Sequence, residues 1–254
     1  MNASLMSVIV FVSVLCGAFF GMFLGKTLPK HHLSDATKDV VKLGIGLIGT
    51  ITGLVLGLLI ASANSTFETQ SSQVQQMTAN IVVLDQTLAQ YGPEAVSIRK
   101  LTRRAVASMA DRIWRENSSP SGEMAPFEAS TTALILFDEI LKLSPQNERQ
   151  RSLQARAIGI LQEISKTRLL LFSEAGSAIP MPFLVVLIFW LAIIFANFGL
   201  FAADNNATII VALGIFALSA SAAIFLILEL GQPFTGLMNI SSQPLRNALA
   251  PLGP

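Results

Sequence analysis

Four long apolar stretches and one long polar region alternate along this chain. The apolar stretches run from about Leu5 to Leu24, Val40 to Ala63, Phe183 to Ala202 and Ala207 to Leu230. Each has close to, or more than, the roughly 20 apolar residues that a helix needs to cross a bilayer. None carries a charged residue near its middle, and Lys42 and Glu229 lie at ends, where a long side chain reaches the membrane surface at little cost. The pattern predicts four membrane-spanning helices.

The polar region between the second and third spans is predicted to be helical. Its apolar residues recur at intervals of three, four and seven, in a seam made of Phe67, Val74, Met77, Ile81, Leu84 and Leu88. Neither Gly nor Pro separates this seam from the second span, which predicts one long helix ending at Gly92 and Pro93. Three further helices are predicted: about Glu94 to Glu116, one ending near Leu143, and one from a Ser144–Pro145 start toward Phe172, with a loop over Asn117 to Pro126.

These elements predict an all-α protein with four transmembrane helices and an extramembrane helical bundle inserted between the second and third spans. The expected organisation is a transmembrane hairpin over residues 1–63, the bundle over 64–177, a second transmembrane hairpin over 178–231 and a short amphipathic C-terminal tail over 232–254. Gly176, Pro180 and Pro182 mark the expected return of the chain into the membrane.

Glycine occupies every fourth position in parts of the first two spans. The first ladder is Gly17, Gly21 and Gly25, and the second is Gly49, Gly53 and Gly57. Glycine at this spacing bares a strip of backbone along one side of a helix, where another helix can approach closely. We expect the first ladder to be such a packing seam.

The second ladder belongs to a longer strip of small and polar residues. At about 100° per residue, one arc of the helix contains Gly46, Gly49, Thr50, Gly53, Gly57, Ala61, Asn64 and Glu68. The strip begins apolar and ends polar. It predicts either a tight seam with a neighbouring helix or the lining of an ion path to which the backbone and the Thr50 hydroxyl are exposed.

Composition supports a membrane protein and argues against several classes of partner. The chain is 52% hydrophobic and 13% charged, whereas soluble domains carry about 25% charged residues. The net charge of +1 comes from mixed charges, so no nucleic acid partner is expected. The single cysteine, Cys16, permits no internal disulfide, and we expect it to be a small packing residue.

No catalytic constellation stands out, so we expect neither an enzyme nor a bound cofactor or metal ion. His31 and His32 are the only histidines, in a loop with Asp35 and Asp39. A surface metal site there is conceivable, but adjacent histidines on a short polar loop are more typical of simple solvation. Asn197, within the third span, is expected to bond a neighbouring helix.

Charge leaves the sidedness of the bundle open. An even number of spans places both termini and the bundle on one side of the membrane. The lysines around the first short loop are Lys26, Lys30, Lys38 and Lys42, and no basic residue precedes the first span. The positive-inside rule therefore favours a cytosolic loop and an external bundle, although long domains count weakly in that rule.

Three stretches resemble the bestrophin-like domain family of bacterial multi-pass membrane proteins, a family of unknown function. They are FLILELGQPFTGLMNISSQPLRNAL from Phe225, WLAIIFANFGLFA from Trp190 and GLLIASANSTFETQ from Gly57. The family is named for a distant likeness to bestrophins, which are pentameric anion channels with four spans per subunit, a pore lined by the second span and cytosolic helices. The resemblance therefore implies a homo-oligomer, a pentamer by analogy, in the bacterial inner membrane with the bundle in the cytosol.

The chain also departs from the bestrophin pattern. Bestrophins have a neck of bulky apolar side chains on the pore helix, whereas the strip singled out above is glycine with Thr50. They also carry an acidic calcium clasp after the last span, and residues 232–254 contain no Asp or Glu. Calcium gating is therefore not expected.

Two functional hypotheses follow. In the first, the protein is an oligomeric channel for a small anion, and the second span lines the pore through Gly46, Gly49, Thr50, Gly53, Gly57 and Asn64. In the second, it is a non-conducting membrane scaffold or stress-linked interaction protein, and both glycine ladders are only packing seams. The expected surroundings are the lipid bilayer and further copies of the same chain.

Overall fold

A computed structural model describes residues 3–29, 35–116, 131–175, 181–202, 207–234 and 236–248. These residues form helices, turns and short connections with no strand among them. The helices are α1 (Ala3–Thr27), α2 (Asp35–Tyr91), α3 (Val96–Glu116), α4 (Thr131–Leu141), α5 (Glu148–Ala175), α6 (Met181–Leu200), α7 (Ala207–Leu230) and α8 (Gln243–Asn247). The predicted all-α fold is confirmed.

The four predicted spans are long and apolar enough to cross a membrane. They correspond to α1, the first part of α2, α6 and α7. The predicted loop over Asn117 to Pro126 and the histidine pair His31 and His32 lie outside the described residues, as do Gly176 and Pro180.

The second span and the polar seam form one unbroken helix of 57 residues, as predicted. The helix α2 ends at Tyr91 because Gly92 takes a φ of 132°, in a region that L-residues with a side chain rarely adopt. A 3₁₀ turn over Pro93–Ala95 then leads directly into α3.

The predicted Ser144–Pro145 start of the last bundle helix is wrong, since α5 begins at Glu148. The Asn147 side-chain oxygen accepts the Gln150 backbone N–H at 2.8 Å, and the Gln150 side-chain oxygen accepts the Gln146 N–H at 2.8 Å. This reciprocal arrangement is close to a capping box, which supplies acceptors for amides that have none inside the helix. Asn147 therefore starts α5, and the chain between α4 and α5 is longer than expected.

Contacts divide the chain into two compact units. We call Met1–Thr66 with Ala178–Gly231 the membrane unit, and Phe67–Ser177 with Gln232–Pro254 the polar unit. In the membrane unit, α1 packs against α6 and α7. The core of the membrane unit includes Val10, Val14, Ala18, Leu184, Leu187, Leu191, Ala217 and Ile224.

The first glycine ladder is a packing seam, as predicted. A Cβ atom added at Gly17 would lie 2.7 Å from the Ala192 carbonyl oxygen, and one at Gly25 would lie 2.8 Å from the Leu200 carbonyl oxygen. Between them, a Cβ at Gly21 would lie 2.9 Å from the Cα of Ala196. The backbones of α1 and α6 are therefore in contact along three turns.

The polar unit is built around the seam predicted on α2. Val74, Met77, Ile81, Leu84 and Leu88 are each at most 1% exposed and pack with buried side chains of α3, α4 and α5. This burial accounts for the period of the seam, because one apolar stripe of the helix faces the core.

The segment after α7 packs within the same unit. The Trp114 indole N–H donates to the Ile240 carbonyl oxygen at 2.8 Å, and the Trp114 ring meets Phe234 edge to face with centroids 5.8 Å apart. Leu245 of α8 is fully buried. The tail is therefore part of this unit and packs against α3.

Candidate functional site: the exposed surface of the second span

The second glycine ladder lies on an open surface of the membrane unit. A Cβ atom added at Gly46, Gly49, Gly53 or Gly57 would meet no heavy atom within 4 Å. This is the opposite of the first ladder, where added Cβ atoms collide with the backbone of α6. Among the described residues of one chain, no other helix packs closely against the second ladder. We call the strip formed by Gly46, Gly49, Thr50, Gly53 and Gly57 the glycine arc.

The hydroxyl group of Thr50 is held by its own helix. Its Oγ1 donates to the Gly46 carbonyl oxygen at 2.9 Å, one turn earlier. The side chain is exposed, so its oxygen lone pairs and methyl group form part of the open surface. Asn64, the last residue of the predicted pore lining, is exposed as well.

The other side of the span faces the core of the membrane unit. Ile45, Ile48, Val55, Leu56 and Leu59 pack against that core. Thr52 is buried there, and its hydroxyl donates to the Ile48 carbonyl oxygen at 2.7 Å. The internal hydrogen bond lets a polar residue lie on an apolar surface. Packing of this side against the core fixes how α2 is rotated about its own axis, and the glycine arc is therefore left open.

A third surface of the span was not predicted. It is a row of leucines, each 63–77% exposed, which we call the leucine row: Leu43, Leu47, Leu54 and Leu58. Two of its spacings are four residues, which puts the side chains on one side of a helix. The spacing was visible in the sequence, but in a wholly apolar stretch it did not distinguish this side from the buried one.

A recess of about 500 Å³ lies between α2 and the end of α6. Its lining comprises Lys42, Ile45, Gly46, Gly49, Ile194, Asn197, Phe198 and Phe201. The two glycines contribute no side chains and so leave this space open. The walls are apolar, and the polar side chains in the lining are those of Lys42 and Asn197.

Among the described residues, Asn197 makes no hydrogen bond to a neighbouring helix, contrary to the prediction. Its Nδ2 instead donates to the Ile193 carbonyl oxygen, 2.9 Å away on the same helix. An amide in an apolar span needs a partner, and the preceding turn of α6 supplies one.

An ion pair in the polar unit joins two of its helices. Arg99 donates to both carboxylate oxygens of Asp85, at 2.7 and 2.8 Å, and so joins α3 to α2. These hydrogen bonds raise the pKa of Arg99 above its ordinary value. Burial lowers the pKa of Arg168, and the positive charge of Arg112 lowers it further.

Among the described residues, no group of three His, Cys, Asp or Glu side chains is placed to hold a metal ion. The candidate functional site is therefore the open surface of the second span. The protein itself is a four-span helical membrane protein with a helical unit between its second and third spans. This defines the class of the protein.

Sequence comparison identifies the family within this class. Residues 10–245 match the Bestrophin-like domain, so the chain belongs to the bestrophin-like family. None of the curated protein sequences compared with this chain matches it significantly.

Solved structures show the same fold. Two crystal structures of a bacterial bestrophin homologue from Klebsiella pneumoniae, each with one substitution, are similar to this chain. One has a TM-score of 0.70 and 12% sequence identity, and the match covers 99% of this chain and 97% of the other. The second has a TM-score of 0.69 at 12% identity, with 96% and 98% covered. At this identity the likeness demonstrates a shared fold.

Proposed function

We propose that this protein assembles into a ring of identical subunits and conducts small anions along a path lined by the glycine arc of α2. The observation that carries the proposal is the openness of that arc. A Cβ atom added at any of the four glycines would meet no heavy atom within 4 Å among the described residues, and Thr50 is exposed. A ring with this surface turned inward would enclose a path with backbone and a hydroxyl oxygen exposed along it.

Between Asp39 and Glu68, Lys42 is the single charged residue of α2, and its positive charge favours an anion. From Gly46 to Gly57 the helix carries no acidic side chain. Lys42 lies one turn before Gly46 and on the same side of the helix, at about 100° per residue. A cation at the mouth of a low-dielectric path raises the local concentration of anions. Family membership supports the same reading, since the family is named for its likeness to anion channels.

The first experiment measures halide flux into liposomes that contain the purified oligomer. We expect flux in the unchanged protein and at least a tenfold decrease in Thr50→Leu and Gly53→Leu, because a bulky side chain would enter the path. Gly214→Leu is the matched control. Gly214 is an open glycine on α7, with nothing within 4 Å of an added Cβ, so flux should be unchanged.

The outcomes separate the alternatives. Assembled protein without flux supports the non-conducting scaffold. Flux that survives Gly53→Leu but changes in Leu54→Ala would assign the path to the leucine row instead. Potassium flux without chloride flux would overturn the proposed selectivity.

We place the polar unit and both termini in the cytosol of a bacterial cell, as the bestrophin resemblance implies. A reporter fused after the last residue tests this topology. Activity of a reporter that works only outside the cytosol would contradict it.

A further inference from the structure

A small cavity lies inside the polar unit, among α2, α3, α4 and α5. It has a volume of about 50 Å³, and about 10–15 Å³ is enough to hold one water molecule. Most of its wall is apolar, from side chains such as Ile81, Leu136 and Leu161. All of its lining residues belong to the polar unit, whereas the glycine arc belongs to the membrane unit. The cavity is therefore not part of the surface assigned to conduction.

A cation lines this cavity, and none of the described residues in the lining is acidic. The cation is Arg168 of α5, which is partly buried. A second guanidinium group, that of Arg112 on α3, is close enough to act on it. Burial lowers the pKa of Arg168, and the positive charge of Arg112 lowers it further, yet an arginine side chain stays protonated in proteins. Positive charge therefore accumulates beside the cavity.

The Nε–H group of Arg168 needs an acceptor. Arg168 has a further interaction within the chain, but its Nε atom is buried and none of the described residues accepts a hydrogen bond from it. Buried polar groups of folded proteins are normally paired, with protein atoms or with ordered water. An anion would accept this hydrogen bond as a charge-assisted one and would also offset the repulsion between the two guanidinium groups. A water molecule would supply only the hydrogen bond.

The hydroxyl groups of the lining favour an anion that keeps some of its water. Thr102 Oγ1 donates to the Ile98 carbonyl oxygen and Ser165 Oγ donates to the Leu161 carbonyl oxygen, each at 2.9 Å. Because these protons are used, both hydroxyl oxygens are left as acceptors. They suit the hydrogen atoms of a water molecule that accompanies the anion. Ser165 is also exposed, so this part of the lining is open to solvent.

We propose that the cavity binds a small monovalent anion of halide size, held by Arg168 with the added charge of Arg112, and that the bound anion stabilises the polar unit. The apolar walls strengthen the attraction, because charges interact more strongly where the effective dielectric constant is low. The anion at this site is a structural ligand and is not conducted. The site goes beyond the proposed function and does not depend on it.

Thermal unfolding of the purified oligomer in sodium bromide tests this site. Gluconate, which is too large for the cavity, replaces bromide so that the ionic strength stays constant. A ligand that binds the folded state raises the unfolding midpoint as its concentration increases. Each tenfold increase in bromide above its dissociation constant should raise the midpoint by roughly 3–6 °C.

Two variants remove the site in different ways. Arg168→Gln removes the cation, whereas Ala105→Leu fills the cavity from another lining residue and leaves both charges in place. Both variants should lose the dependence of the midpoint on bromide. Arg104→Gln is the matched control, because Arg104 is an exposed arginine of α3 outside the lining, and it should keep the dependence. Elution as an oligomer of unchanged size verifies that each variant is folded.

Two results would overturn the proposal. An equal bromide dependence in the unchanged protein and in Arg168→Gln is the result expected of a cavity that holds only water. A dependence that is lost in Thr50→Leu and kept in Arg168→Gln would assign the bound anion to the glycine arc. Bromide-dependent stability without halide flux would reject only conduction, whereas flux without bromide-dependent stability would reject only this site.

Discussion

The contrast between the two glycine ladders leads to a prediction of opposite effects from the same substitution. We consider Gly21→Ala on α1 and Gly214→Ala on α7. A Cβ at Gly21 would lie 2.6 Å from the carbonyl carbon and 2.9 Å from the Cα of Ala196, whereas nonbonded carbons prefer about 3.5–4.0 Å. The atoms in the way are backbone of α6 and cannot rotate aside. A Cβ at Gly214 would meet nothing within 4 Å.

The expected change in the free energy of unfolding follows from two opposing effects. Forcing an extra methyl group into a packed interface costs about 1–3 kcal/mol, and the rigid neighbour puts Gly21 in the upper part of that range. Replacing a helical glycine with alanine stabilises the helix by about 0.5–1 kcal/mol. We expect Gly21→Ala to be destabilised by about 1–2 kcal/mol, and Gly214→Ala to be unchanged or stabilised by up to about 1 kcal/mol.

The assay is thermal unfolding of the purified protein in detergent, followed by loss of the folded peak in size-exclusion chromatography. At about 2–4 °C per kcal/mol for chains near this length, Gly21→Ala should unfold roughly 2–8 °C lower, and Gly214→Ala at the same temperature or slightly higher. Equal midpoints, or a lower midpoint for Gly214→Ala, would refute the assignment of the first ladder as a backbone seam. Flux should remain in folded Gly21→Ala, because Gly21 lies outside the glycine arc.

Three further predictions concern the polar unit. Tyr91 is the only tyrosine, and burial raises its pKa above the ordinary 10.0. The unfolded chain then loses this proton first as the pH rises through about 10, so stability decreases above that pH. Tyrosinate absorbance of the folded protein should show the raised pKa, and a pKa at the ordinary value would contradict this prediction. In Tyr91→Phe, the free energy of unfolding should depend less on pH. Asp85→Asn should lower the free energy of unfolding by about 1.5–3 kcal/mol, because it weakens the hydrogen bonds from Arg99. Arg99→Lys should also be destabilising, because lysine cannot form the same pair of hydrogen bonds. Unchanged unfolding midpoints in both variants would rule out a stabilising role for this ion pair. Trp114→Phe keeps an aromatic ring beside the tail but removes the donor to the Ile240 carbonyl oxygen, at a cost of about 1–3 kcal/mol. Limited proteolysis should release the tail sooner from Trp114→Phe than from the unchanged protein. An unchanged rate of release would show that this hydrogen bond does not hold the tail in place.

Local signals along the chain were sufficient for the helices and several of their ends. The apolar runs predicted the four spans, and the absence of Gly and Pro between Ala63 and Tyr91 predicted the unbroken helix α2. Gly92 and Pro93 predicted its end. The start of α5 was missed because Ser144 and Pro145 resembled a helix start, while Asn147 and Gln150 satisfy the free amides in the structure.

The sequence by itself determined which residues are helical and which helices are long and apolar enough to cross a membrane, because these properties depend on residues close together in the chain. It predicted a packing seam for the first glycine ladder but left the second open between a seam and the lining of an ion path. Both have the same spacing, yet Cβ atoms added at Gly17, Gly21 and Gly25 would meet the backbone of α6, while those added at Gly49, Gly53 and Gly57 would meet no heavy atom within 4 Å in the described part of the chain. Only the tertiary structure showed that the second ladder is open within one chain, and it also exposed the leucine row and formed the recess beside Asn197. The reason is physical: a helical period specifies which residues share a side, but only the packing of other helices decides which side is covered.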